Sequence, residues 1–218
     1  MDTLPNQSVP PPHERKSDLR KPFLTSSGAF RVLKMRNLLV LGVIVLVSGW
    51  LAVYSPLFHK TAPAGIQLTD LHSVKQFQGL FNADTGMPRL VLIYSPTCAL
   101  CINNAHWLQT QILEKYPRAK LRVYAIWTSK LVFDSRDQWD AAGLTDRRVV
   151  HLWDPQDILG NWFFYQLPDY QGTTWDTYLL FGKDATWNTQ LSSLINSGAP
   201  PIDYEDTIAQ SIGPLLNG

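Results

Sequence analysis

From Leu38 to Phe58 the chain carries no Asp, Glu, Lys, Arg or His. At helical rise those 21 residues span roughly 31 Å, enough to cross a bilayer once. Before that stretch, residues 1–37 hold Pro5, the run Pro10-Pro11-Pro12 and mixed charge with no apolar periodicity, and they read as a disordered basic tail. After it, residues 59–69 read as a linker, and residues 70–218 as one folded domain. Thr69 and Asp70 are placed to cap a helix running to about Asn82, with Leu71, Val74, Phe77 and Leu80-Phe81 on one face. Residues 89–94 form a short apolar run ended by Ser95-Pro96, the pattern of a buried strand. Cys101 to Tyr116 repeats at helical spacing through Ile102, Ala105, Leu108 and Ile112-Leu113, and Pro117 stops it. A strand over 121–127 follows, parallel to the first because a helix crosses between them. Further along, 134–143 reads as a loop with a helical turn, 147–153 as a strand and 157–165 as a short helix. Residues 177–181 and 186–187 suggest a hairpin turning through Gly182-Lys183-Asp184-Ala185, and 203–216 a closing amphipathic helix.

Charge sets the orientation of the apolar stretch. Arg31, Lys34 and Arg36 precede it, against His59 and Lys60 after it, so the N-terminus is expected in the cytoplasm and the domain in the periplasm or outside the cell. The stretch and its preceding segment are too long for a cleavable signal, although Ala62-Pro63-Ala64 loosely resembles a cleavage site, so a retained single-pass anchor is expected. Trp50 and Tyr54 suit the interfacial aromatic belt. Past residue 60 the charge is mildly acidic, with no Lys/Arg cluster, which excludes nucleic acid as a partner.

The chain holds two cysteines, Cys98 and Cys101. A disulfide closing so short a loop stabilises a fold little, so the pair points to chemistry. Between a strand and a helix, Cys98 lies at a helix N-terminus, where free N–H groups and the positive dipole end favour a thiolate. Cys98 is then the nucleophile, and Cys101, one turn on, the thiol that resolves the mixed disulfide.

The order β, CxxC, α, β, α, β, β, α resembles the thioredoxin family over residues 66–218. Leu90 to Cys101 resembles its active-site segment, and Thr177–Phe181 with Gly182-Lys183-Asp184 its later hairpin. Within the family the chain is most similar to membrane-tethered bacterial members facing out of the cytoplasm; Trp153-Asp154-Pro155 and Gly160-Asn161-Trp162-Phe163 resemble one of its subgroups. The resemblance implies an α/β thioredoxin-like fold, a central mixed sheet flanked by helices, preceded here by one transmembrane helix. It implies a thiol–disulfide oxidoreductase that needs no organic cofactor, with protein thiols and disulfides as partners. Four positions depart from the family pattern. Asp176 stands where its cis-proline would be, Leu92 where cytoplasmic members keep a buried carboxylate, Thr97 where Trp is common, and Ala99-Leu100 as the intervening dipeptide.

Pro96, Trp175 and Asp176 are accordingly the substrate-loop candidates. An Asp176 carboxylate near Cys98 would raise that thiol's pKa and slow its attack. Two other readings stay open: a chaperone holding a soft ion such as Cu(I) on two thiolates, and a non-catalytic binding module. A metal site finds little further support in sequence, since His106 falls on another helix face and His151 is the one distal histidine considered. Trp153, Trp162 and Trp175 are either core or groove walls, and Asp154 is either an acid or a cap.

Overall fold

The structure is a computed structural model that describes residues 37–49 and 60–216. Two units divide the chain, Met1–Val53 and Tyr54–Gly218. In the first, residues 37–49 form helix α1. The rest of the expected membrane stretch, with Trp50 and Tyr54, lies outside the described residues, as do residues 1–36. Among the described residues no helix is long and apolar enough to cross a membrane.

The second unit is built on a six-stranded mixed sheet of order β1-β4-β3-β2-β5-β6. Its strands are β1 (Leu68–Asp70), β2 (Arg89–Tyr94), β3 (Arg122–Trp127), β4 (Val149–Trp153), β5 (Thr177–Phe181) and β6 (Leu194–Gly198). β1, β4, β3 and β2 run parallel, and β5 and β6 are antiparallel to their neighbours. β2 lies between β3 and β5 and is buried on both faces, which explains its unbroken apolar run. Its alternation sorts the core. Leu90, Leu92 and Tyr94 face Cys101, Ala105, Leu108 and Ile112 of the helix that follows and Ile208 and Ile212 of the last helix. Val91 and Ile93 face the opposite layer, with Phe77, Phe81, Leu159 and Phe163. These layers are α3 (Ala99–Trp107) with α5 (Glu205–Leu216), and α2 (Val74–Ala83) with α4 (Ile158–Gln166). This is the mixed sheet flanked by helices that the resemblance to the thioredoxin family implies.

Four local expectations are corrected. Residues 68–70 are strand, not linker and cap, because they pair with His151–Trp153. The cap of α2 is Ser73, extended at φ −164°, whose hydroxyl accepts the Gln76 N–H at 3.2 Å. The partner of β5 is Leu194–Gly198 rather than 186–187. Trp187 is drawn instead to α2, where Asn82 Oδ1 accepts its N–H at 2.8 Å and Asn82 Nδ2 donates to its carbonyl at 2.7 Å. The helix after the cysteines begins at Ala99 and widens to a π-helix over Leu108–Leu113, where Thr110 Oγ1 donates back to the His106 carbonyl at 3.0 Å. Tyr204 ends a 3₁₀ turn begun at Pro201, and only then does α5 start.

A buried arginine at the start of β2 ties the end of α2 to the turn after β5. Arg89 donates to the carbonyls of Phe81 at 3.0 Å, Gly182 at 2.9 Å and Ala185 at 2.8 Å, with its guanidinium 4.3 Å from the Phe81 ring centroid. It thus satisfies the C-terminal carbonyl of α2 and the turn after β5.

Candidate functional site

β2 ends at Tyr94, and the chain turns through Ser95-Pro96-Thr97 into α3 with Cys98 as its N-cap. The Cys98 Sγ accepts the Cys101 N–H at 3.2 Å, so an orphan donor of the first turn is spent on sulfur. Both cysteines are free thiols; Cys101 is sealed in the core and Cys98 keeps a sliver of exposure. The Cys101 thiol reaches Asp176, with Sγ 3.3 Å from Oδ1. Asp176 ends the loop before β5 in the left-handed region, φ 49°. The three groups converge, their ligand atoms all within 4.8 Å of one another.

The electrostatics follow from that convergence. The Cys98 thiol is lowered to about 7, first by the hydrogen bond from the Cys101 thiol, then by the N–H groups of Cys101 and Leu100, against burial and the Asp176 charge. Cys101 is pushed far up by donating to Cys98 and by burial. Asp176 is raised by burial and by Asp203, while the Cys101 hydrogen bond opposes the rise. The Cys101 proton therefore stands between two acceptors, the Cys98 sulfur and the Asp176 carboxylate. Behind them the surroundings are apolar, with Leu92 in the same cluster as Cys101.

Two supports of the site escape a sequence reading. The first is Asp134, whose carboxylate accepts from Ser95 Oγ at 2.7 Å, Thr97 Oγ1 at 2.7 Å, and the N–H groups of Lys130 at 2.8 Å and Leu131 at 2.6 Å. Burial raises its pKa, but these donors outweigh that and leave it below the usual carboxylate value. Ser95 and Thr97 lie 39 and 37 residues from Asp134, so no local pattern marks that hold. The second is Gly160 in α4: a Cβ there would lie 1.8 Å from the Thr174 carbonyl oxygen. The loop carrying Trp175 and Asp176 crosses α4 at that bare backbone.

The remaining candidates sort by contact. Pro96 is buried in the turn, and Trp175 packs partly buried against both core layers. Trp153 is core, and Trp162 stacks on Trp187 at 4.3 Å between ring centroids. Asp154 caps α4, accepting the N–H groups of Ile158 and Leu159 at 2.9 Å each. His151 is a satisfied core residue, its Nδ1 accepting from Trp127 Nε1 at 3.1 Å and its Nε2 bonded to the Leu144 carbonyl at 3.0 Å. His106 lies exposed, with its ring beside Gly143. Neither histidine joins the sulfur pair. Among the described residues, the groups that could hold a metal are thus Cys98, Cys101 and Asp176.

No protein-family model and no curated protein matches this chain. Solved structures do. A candidate protein disulfide isomerase from Bacteroides thetaiotaomicron matches with TM-score 0.42 and 15% identity, over 63% of this chain and 79% of that one. A candidate thiol:disulfide interchange protein DsbE from Chlorobium tepidum gives TM-score 0.42 and 15% identity, over 62% and 84%. A secreted disulfide oxidoreductase of Mycobacterium tuberculosis, homologous to the DsbE of E. coli, gives 0.37 and 17%, over 61% and 85%. Each is a likeness of fold alone. The chemistry rests on the geometry of the two sulfurs and the Asp176 carboxylate.

Proposed function

We propose that this protein is a membrane-tethered thiol–disulfide oxidoreductase whose Cys98–Cys101 pair exchanges with protein thiols outside the cytoplasm. The observation that carries the reading is the Cys98 sulfur at the mouth of α3, hydrogen-bonded by the Cys101 N–H and lowered to about 7. From the dithiol state, the Cys98 thiolate attacks one sulfur of a partner disulfide; a mixed disulfide forms and one partner thiolate leaves. Cys98 then no longer accepts the Cys101 proton, which passes to Asp176 Oδ1, 3.3 Å from Cys101 Sγ. The Cys101 thiolate attacks Cys98 Sγ, closing the Cys98–Cys101 disulfide and releasing the second partner thiolate. Two electrons have moved to the partner; the reverse sequence oxidises it. Asp176 thereby takes the proton-accepting part that Leu92 cannot play.

The tether rests on the charge-free stretch 38–58 and the three cations before it, which favour a cytoplasmic N-terminus and a periplasmic or extracellular domain. The test uses the full chain in detergent, titrated in glutathione buffers and assayed for reduction of a protein disulfide. A reversible two-electron couple lost in Cys98→Ser supports the reading; a pair that does not react with glutathione or protein disulfides overturns it. A second reading, capture of a soft or borderline ion, is favoured by the convergence of two sulfurs and a carboxylate within 4.8 Å. Stoichiometric Zn(II) or Cu(I) held against a chelator by a pair inert in exchange would favour it.

A further inference from the structure

β3 is followed by a turn whose apolar side chains point away from the core. Val132 is 94% exposed, Phe133 80% and Leu131 38%. The turn is built rather than loose: the Asp134 N–H donates to the Leu131 carbonyl at 3.0 Å, and the Asp134 carboxylate holds Lys130 and Leu131 by their N–H groups. Lys130 is paired in turn with Asp157 at the start of α4. Adjacent Val and Phe side chains held in water on a fixed turn lose free energy there that burial would return.

The position of the turn narrows what could bury it. The second unit's described chain begins at Lys60, whose N–H donates to the Asp137 carbonyl at 3.0 Å and whose Nζ lies 3.5 Å from Asp140 Oδ2. Asp137 is four residues from Phe133, a path of at most about 14 Å. Lys60 is two residues from Phe58, the end of the charge-free stretch, at most about 7 Å of chain. Where the chain enters the domain is therefore beside the apolar tip. The tip is also tied to the sulfur pair, because Asp134 holds Ser95 and Thr97 just before Cys98.

We propose that the Leu131-Val132-Phe133 turn docks into the interface of the lipid bilayer, holding the domain with its Cys98 turn close to the membrane surface. This rests on the reading of residues 38–58 as the anchor. Amphipathic elements beside an anchor add membrane affinity in proportion to the apolar area they bury. The bound domain stands on two points, the tether at Lys60 and the tip, and the active-site turn sits next to the second. Exchange is thereby directed to thiols and disulfides held near the membrane.

The test uses the full chain with Cys98→Ser and Cys101→Ser, carrying an environment-sensitive fluorophore on Val132→Cys or, as control, Tyr165→Cys. Tyr165 is 71% exposed near the end of α4 remote from the Lys130–Asp157 pair. Chains are reconstituted in phosphatidylcholine vesicles with and without nitroxide lipids. The expected result is blue-shifted emission and lipid-nitroxide quenching at 132, neither at 165, and loss of both at 132 on adding Phe133→Asp. Val132, Phe133 and Tyr165 are solvent-exposed, and near-ultraviolet circular dichroism checks that the buried Cys98→Ser and Cys101→Ser changes leave the fold intact. A 132 label as water-exposed as the 165 label, in a chain that resists carbonate extraction, overturns the docking and leaves the tether standing. Equal quenching at both positions, or a concentration-dependent blue shift at 132 without lipid quenching, the sign of a second copy, also overturns it. A chain extracted by carbonate overturns tether and docking together.

Discussion

Replacing Asp176 by Asn separates the two halves of the exchange. Asparagine keeps the shape and an acceptor oxygen beside Cys101 Sγ but cannot take up the proton that leaves that thiol. A positioned general base contributes about 10²–10⁴ to the step it serves. Taking the lower end, resolution in Asp176→Asn slows about 100-fold, a barrier increase of about 2.7 kcal/mol. The first attack moves the other way: the Asp176 charge raises the Cys98 thiol, so its removal lowers that thiol and leaves attack below pH 7 as fast or faster. An aromatic disulfide that yields a coloured thiolate reads both steps in one stopped-flow trace. The wild-type chain releases two equivalents together, whereas the variant releases one in a burst and the second about 100-fold later, with the mixed disulfide on Cys98 visible by mass spectrometry between them. Release of both equivalents at wild-type rates refutes the assignment of Asp176 as proton acceptor.

The pH dependence of that first burst follows Cys98: its rate rises roughly tenfold per unit up to pH 7 and levels above it, in step with the ultraviolet absorbance of the thiolate. Stability has its own pH dependence through His151, which burial lowers from 6.5 to about 4 despite the Leu144 carbonyl. With its folded value depressed, the stabilisation from this neutral ring is complete above pH 6.5 and is lost as pH falls toward 4, by about 3 kcal/mol in urea unfolding at the two ends. Arg89→Leu strands the carbonyls of Phe81, Gly182 and Ala185 in the interior, and equilibrium unfolding should register a loss of about 3 kcal/mol or more. Gly160→Ala forces the Thr174 carbonyl and Asp176 loop aside; the expected cost is about 1–3 kcal/mol together with a slowed second equivalent, whereas unchanged kinetics would show that α4 does not position Asp176.

The parts of this protein visible in sequence are those where local pattern and final environment agree. β2 reads as a buried strand because both of its faces are covered, and the cysteines read as chemistry because they stand at a strand-to-helix junction. Asp176 is legible through the resemblance, which sets it where the cis-proline would be, and the structure puts its oxygen against Cys101. The misses share one physical cause. β1 is three residues long and exists by pairing with β4, some eighty residues away. Trp187 leaves the expected hairpin because Asn82 on α2 satisfies its backbone. Asp134 looks like an ordinary turn residue, and its hold on Ser95 and Thr97 comes only with the tertiary fold. In each case a distant partner decided between local alternatives of similar free energy.

The clamp around Ser95, Thr97 and Asp134 bears on how strong an oxidant or reductant this pair is. A sulfur couple on a yielding loop relaxes toward the potential of a free dithiol, whereas one seated on an immobile central strand retains whatever bias its surroundings impose. By linkage, the gap in folding stability between the bridged and open forms equals the shift of that potential from the value in the unstructured chain. Denaturation curves of the two redox forms would therefore report the driving force of the exchange without any partner protein.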